Sequence, residues 1–447
     1  MDQDAPTISV VPTSSDSRLL SGASGLELRP FRALTYRRRD PGHLARVSSP
    51  AYDLVTPAGR DRLAGADPHN IVRLILPRCA AGEGGTADGD PARLAAAMLA
   101  AWQEEGVLDR DPEPALWLYE LQPPDGAPAT VGWLGAVALP PTGSVAVLPH
   151  EDTYPGAVED RRALLAATGT DLEPIVLAHD PDPTVAKLTA VARHGDPTLE
   201  LQDSDGVEHR LWRVTDPPLL ARVTAALRRT GAVIADGHHR FAAARANSRI
   251  EPQREGSDAV LALVTPMGAG GLRVAPIHRV VPDLSLDAAL TAARQGFRVT
   301  AMPVGDGDQV AVVGAIHRWL ETADESGFLV TDGHQLYQLT DPSEIVLATV
   351  PPEAPPAWRR LDVVLAHHGL LAALWQRGDD PESVLIAHTA EDAVRTAAER
   401  GGVALLLRAP SPADVAAVAR AGARMPRKST LFVPKPRTGL VLRPLAD

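Results

Sequence analysis

Helical and extended segments alternate along this chain, and that alternation limits its fold more than any other feature. Beyond residue 285 the spacing of apolar residues predicts helices over 286–295, 308–322, 361–375, 390–400 and 411–421. Strands are expected over 297–301, 384–388, 403–408 and 439–443, with a hairpin turning at Asp332-Gly333. Such βα alternation implies parallel strands joined by helical crossovers. Upstream, strands are expected over 71–76, 116–122, 131–138, 144–148 and 174–178, and helices over 92–105 and 158–167, the latter stopped by Thr168-Gly169. Pro140-Pro141-Thr142-Gly143 reads as a turn folding 144–148 back antiparallel on 131–138. The reading is a mixed α/β protein with several lobes.

At 447 residues the chain exceeds what one core organises, since single cores stop growing near 250 to 300 residues. The expected division is a disordered tail over 1–24, an N-terminal α/β lobe over 25–145, a central region over 146–284 and a C-terminal βαβ-rich lobe over 285–447. Residues 82–91 form a Gly/Asp-rich loop. One cysteine, Cys79, rules out a disulfide framework, and together with a tail lacking an export-type leader it points to the cytoplasm. A net charge of −12 argues against a general nucleic-acid binder or a membrane-surface protein. Prolines and Gly143 break the longest uncharged stretch, so no membrane span is expected.

The chemistry centres on Ala235-Asp236-Gly237-His238-His239-Arg240. A buried strand over 231–235 runs into a helix of small residues near 241–246, so the segment is a strand-to-helix corner. There the first helical N–H groups lack intrahelical partners and the helix dipole favours an anion. Gly237 permits close approach, and Arg240 offers a bidentate phosphate donor. A second Asp-Gly-His, at Asp332 to His334, lies between two strands and reads as a hairpin turn, which sets off the first copy by its helix and its extra His-Arg.

Other groups supply the rest of a site. His150 and Glu151 end a strand, with Asp160-Arg161-Arg162 opening the next helix; Glu151 suits a general base or a metal ligand. Of 44 basic residues only Lys187, Lys428 and Lys435 are lysine. Two of them in the 425–436 segment suggest a need for a compact ammonium, which predicts that Lys428 converges on the 236–240 loop. His278 and Arg279 fall on opposite faces of a strand. His367-His368 reads as surface or core filling, because neighbouring helical residues point apart. Asp53, closing Ser49-Pro50-Ala51-Tyr52-Asp53, reads as turn chemistry.

These segments, in order, resemble an uncharacterised bacterial and archaeal family labelled domain of unknown function 1015. The likeness rests on Pro30 to Ala33, Pro50 to Asp53, His150 to Thr153, Thr168-Gly169 with Glu173-Pro174, Ala235 to Arg240, Pro276 to Arg279 and Met425 to Lys435. The 236–240 segment further looks like the phosphate loop of the ParB/sulfiredoxin superfamily, which includes nucleotide-binding partition proteins, sulfiredoxin and ADP-dependent free serine kinases. That resemblance implies that Gly237, His238, His239 and Arg240 hold nucleotide phosphates, with Asp236 beside them. The catalytic cysteine of sulfiredoxin has no counterpart in Gly237-His238-His239-Arg240.

The expected activity is a nucleotide-dependent phosphotransferase, or a related phosphatase, acting on a small hydroxylated metabolite such as serine or phosphoserine. It would use ADP or ATP with Mg²⁺. Asp236, His238, His239 and Glu151 are the catalytic candidates. Gly237, His238, His239, Arg240 and Lys428 would bind the cofactor, and His150, Arg161, His278 and Arg279 the substrate. Two other readings use the same residues: a metal-dependent hydrolase with His150, Glu151, His238 and His239 as ligands, and a nucleotide-sensing or DNA-binding regulatory module.

Overall fold

The computed structural model describes residues 25–79, 89–268, 270–305, 308–322, 327–378, 380, 382–426 and 428–446. The expected tail over 1–24 and most of the 82–91 loop lie outside the described residues. The protein is a mixed α/β structure organised on two large sheets.

The first sheet has nine strands. In spatial order eight of them are Val147–Leu148, Ala232–Asp236, Ile175–His179, Ala259–Pro266, Thr130–Ala138, Leu116–Gln122, Glu208–Val214 and Leu199–Gln202, with Leu28–Arg29 also paired to Thr130–Ala138. Alternation of side chains divides it cleanly. Trp117, Tyr119, Leu121, Leu261 and Leu263 enter one core, while Leu116, Leu118, Val260, Ala262 and Val264 enter the other. The 144–148 segment does not return on 130–138. That strand already has neighbours on both edges, so Val147–Leu148 pairs instead in parallel with Ala232–Asp236.

The second sheet runs Arg298–Met302, Leu336–Thr340, Phe328–Thr331, Val403–Leu406, His278–Val281, Leu385–Ala387, and every pairing is antiparallel. Parallel pairing, implied by the βα alternation, is therefore corrected. Each crossover is split: 298–302 and 328–331 run the same way, but 336–340 inserts between them, and 278–281 inserts likewise between 385–387 and 403–406.

Two other local expectations change. Residues 71–76 form one helical turn, Val72–Ile75, and the buried Asn70 side chain just before it accepts from Val72 N at 2.9 Å. A six-residue apolar run cannot distinguish strand from buried helix by period alone. The helix expected over 361–375 is a short α-turn, Asp362–Leu365, that widens into a π-helix, Ala366–Leu374. No helix among the described residues is long and apolar enough to cross a membrane.

The last segment joins the two sheets' lobes. Leu431–Val433 pairs with Arg273–Ala275, and the chain then returns across the first lobe. Thr438 exchanges backbone hydrogen bonds with Ser49, and Arg443–Pro444 pairs with Thr170–Asp171. A buried ion pair, Arg443 Nη1 to Asp171 Oδ2 at 2.7 Å, fastens the end. Val176, Ala178, Val233 and Ala235 share one core cluster with Val281, Leu405 and Phe432, so the two lobes pack through a common apolar layer.

A candidate phosphate site in the cleft between the lobes

The strand Ala232–Asp236 is buried throughout, and a register shift between Ile234 and Asp236 re-aims its end. Gly237 follows with φ of 91°, and a Cβ there would lie 2.8 Å from Ile175 Cγ2, so both backbone and space require glycine. The helix His238–Ile250 begins at once, its first bond running from Phe241 N to Gly237 O at 2.9 Å. The N–H groups of His238, His239 and Arg240 therefore have no intrahelical carbonyl, and the positive end of the dipole lies at His238 and His239.

Asp236 does not cap this helix; it anchors it. Arg240 Nη2 donates to Asp236 Oδ2, and Arg240 Nη1 donates to Pro174 O. Lys435 Nζ lies 2.6 Å from Asp236 Oδ1 and 3.0 Å from Asp53 Oδ2. Burial pushes the Asp236 carboxyl up, but the charges of Arg240 and Lys435 outweigh it and hold it below its usual value. Tyr52 lies beneath both Arg161, 4.6 Å from its ring centre, and Arg240, at 5.7 Å. Arg161 Nη1 is also committed to Ile75 O at 2.8 Å. Asp236, Arg240 and Arg161 thus form the frame behind the corner.

His238 and His239 are neutral by geometry, each with a ring nitrogen that accepts a backbone N–H. His238 Nε2 accepts from His150 N at 3.3 Å, which puts its proton on Nδ1. Burial, then the neighbouring imidazoles and arginines, push His238 well below its usual pKa. Thr430 Oγ1 donates to Glu151 Oε1 at 3.3 Å, so it accepts from His150 Nε2–H at 2.9 Å. Burial lowers His150 to a pKa of about 4. His239 Nε2 accepts from Tyr154 N at 3.1 Å, and the two rings stack at 5.9 Å and 13°.

A cleft of 1070 Å³ opens between the lobes. Glu151, Asp152, Tyr154 and His239 line it from the first lobe, and Trp358, His367, His368, Arg424 and Lys428 complete it. Burial raises the Glu151 carboxyl above its ordinary range, against the charge of Lys428 and the Thr430 bond. Lys428 is exposed in the cleft with a left-handed φ of 54°. Arg279 holds it there. Fully buried, Arg279 donates through Nη2 both to Lys428 O at 2.9 Å and to His367 Nε2 at 3.2 Å. Arg279 therefore reaches the cleft through Lys428 and His367. His278 faces the other way, into the second lobe, where its Nδ1 accepts from Leu407 N at 3.3 Å.

The cleft thus brings together Glu151, His239 and Lys428, with His150 and His238 directly behind them, while Asp236, Arg240 and Arg161 frame them and His278 lies apart. Among the described residues no group of three His, Cys, Asp or Glu side chains is arranged to hold a metal ion. Sequence reasoning passed over Asp53 as a turn residue and did not assign Lys435 to Asp236, although the scarcity of lysine marked Lys435 as much as Lys428. It also set His367 and His368 aside as filling. Their place on a π-helix facing a cleft depends on a backbone irregularity that the apolar pattern does not reveal.

Fold and cleft define a two-lobed α/β protein with an anion-suited corner between its lobes. The chain belongs to the family described as "Protein of unknown function (DUF1015)", whose pattern matches residues 28–364. No curated protein matches it. Among solved structures it is similar to C-terminally truncated SbnI from Staphylococcus aureus, with 14% identity, 70% of this chain and 88% of that one covered, and a TM-score of 0.36. It is similar also to a free serine kinase variant in complex with ADP, with 13% identity, coverage of 64% and 84%, and a TM-score of 0.32. A conserved hypothetical protein from Pyrococcus furiosus aligns with 12% identity, coverage of 64% and 87%, and a TM-score of 0.28.

Proposed function

We propose that the interlobe cleft binds the phosphates of a nucleotide, ADP or ATP, and transfers a phosphoryl group to or from a small hydroxylated metabolite of the serine or phosphoserine type. One observation carries the reading: a carboxyl group raised by burial, Glu151, opens on the same cleft as the start of a 13-residue helix and the ammonium-bearing Lys428. Phosphoryl transfer asks a protein chiefly for positioning and for charge against the phosphate oxygens. The N–H groups at His238 and His239 and the Lys428 ammonium supply that charge. In the forward direction Glu151 accepts the proton of the substrate hydroxyl as its oxygen bonds to phosphorus, and the phosphorus–oxygen bond to the leaving nucleotide breaks. Glu151 is suited to this because a raised pKa makes a stronger base.

The donor set fits Mg²⁺ only as a shared ion. Mg²⁺ is usually held by one or two carboxylates together with substrate phosphates, and Asp152, exposed at the cleft beside Glu151, is the carboxylate placed for that. When bound, the ion would neutralise phosphate charge. The imidazoles suit a hydrolytic metal site less well, since Nε2 of both His238 and His239 is already accepting a backbone N–H.

The test is thermal shift and calorimetry with ADP, ATP, pyrophosphate and phosphoserine, each with and without Mg²⁺, followed by a transfer assay with any nucleotide that binds. Stabilisation by a phosphate compound supports the reading; no shift with any of them overturns it.

A further inference from the structure

The cleft carries aromatic rings that phosphate binding does not use. Tyr154 is 58% exposed and is the one aromatic among the exposed large apolar side chains described. Its ring is not free to wander, because its backbone N–H is tied to His239 and its face lies parallel to that imidazole. Across the cleft, Trp358 is fixed in turn. Its Nε1 donates to Arg424 O at 2.8 Å, and His368 meets its ring at 5.5 Å and 67°. An exposed, oriented aromatic face is costly to leave in water and offers stacking area to any flat ring of a ligand.

The two kinds of lining lie on one continuous surface. Tyr154 sits on His239, whose backbone N–H opens the phosphate corner, so a ligand anchored there by phosphate extends past the Tyr154 ring. We propose that Tyr154 and Trp358 form a subsite for a planar, nitrogen-bearing aromatic ring, the base of a nucleotide, continuous with the phosphate corner. A volume of 1070 Å³ exceeds the roughly 300 Å³ at which small-molecule sites begin, so base and phosphates fit together. This rests on the phosphate reading above and adds the part of the ligand that gives it selectivity. Sequence-tolerant stacking of a base on an aromatic side chain strengthens binding roughly 5- to 150-fold.

The test is calorimetric titration of the full chain with ADP, pyrophosphate and ribose 5-phosphate, using wild type, Tyr154→Ala, Tyr154→Phe and Trp358→Phe. ADP is expected to bind wild type at least about tenfold more tightly than pyrophosphate. Tyr154→Ala should remove most of that advantage and leave pyrophosphate binding unchanged, while Tyr154→Phe keeps it. Trp358→Phe, which retains a ring but loses the bond to Arg424, should give an intermediate loss. Equal affinity of ADP and pyrophosphate for wild type, or an ADP affinity untouched by Tyr154→Ala, overturns the base subsite while leaving the phosphate site standing. Failure of wild type to bind any of the three overturns both.

Discussion

The Lys435 ammonium lies 2.6 Å from an Asp236 carboxylate oxygen, joining a strand end in the first lobe to a segment 199 residues further along the chain. Asp53 takes a second contact with the same ammonium, and Arg240 a second contact with the same aspartate. The corner that opens on the cleft is therefore held from behind by a chain of alternating charges. Lys435, Asp236 and Arg240 in it are almost entirely shielded, Lys435 being 13% exposed and Asp236 10%, while Asp53 at the outer end is 37% exposed.

Lys435→Met is expected to destabilise the fold by about 3 kcal/mol, because it leaves the shielded Asp236 carboxylate short of a partner. Urea denaturation measures this. An effect within about 0.5 kcal/mol would place the pair among exposed bridges of little worth. Arg240→Lys should act in the same way, through folding stability, since the guanidinium fork is spent on Asp236 and Pro174 O.

Arg279→Lys keeps a charge but loses the Nε–H bond to His367 and the Nη1–H bonds to Ile277 O and His278 O that fix the guanidinium against Lys428 O, so the 425–430 segment should loosen. Hydrogen exchange in that segment is expected to rise with little change elsewhere, and phosphate affinity to fall about tenfold. Unchanged exchange there would show that the cleft keeps Lys428 in place without Arg279.

Much of this was legible in the sequence. The 236–240 corner was legible because a buried strand, a glycine and a helix of small residues leave little choice of local geometry, and Gly237 with its φ of 91° fits that reading. The helices expected over 92–105, 158–167, 286–295, 308–322, 390–400 and 411–421 fell where the apolar period put them, whereas 71–76 is helical rather than extended and 361–375 widens into a π-helix. Strand pairing did not, because the direction of a neighbouring strand depends on which segment inserts between two others, and nothing in the 298–302 or 403–406 sequences records that 336–340 or 278–281 will do so. The partner of Lys435 was not foreseen for a related reason. Lys435 and Lys428 are seven residues apart, and only the path of the 431–438 segment decides that the first goes to Asp236 and the second to the cleft. Arg279 was read as a substrate contact because its charge was visible and its burial was not.

Stability should fall in mild acid. His150 and His278 are held by burial at a pKa of about 4, below the 6.5 of an unfolded histidine, so between those values the unfolded chain binds more protons and stability rises with pH. Moving from pH 6.5 to pH 5 should cost about 1.5 kcal/mol for each of the two. The Asp236 contribution has the depressed-acid sign: it is present above the unfolded value near 3.8 and lost only as pH falls through the lower folded value. Denaturation curves at pH 7.5, 6.5 and 5.0 check this, and His278→Gln should flatten the slope between the last two.

Glu151→Gln should lower turnover of whichever nucleotide and acceptor react by about 10²- to 10⁴-fold, the usual range for a lost general base, with KM changing much less. The pH profile of the wild type should show a limb set by a carboxyl raised above its ordinary range, and the variant should lose that limb. Full turnover by Glu151→Gln would remove Glu151 from the chemistry.

The most direct measurement is calorimetric titration of pyrophosphate with Mg²⁺ into wild type and Lys428→Ala at low and moderate salt. Lys428 is exposed, so its removal leaves the core intact. Saturable binding to the wild type, weakened by salt and about tenfold weaker in Lys428→Ala, is the predicted result. Absence of binding to the wild type, or equal affinity in the two proteins, would contradict a phosphate site in the cleft.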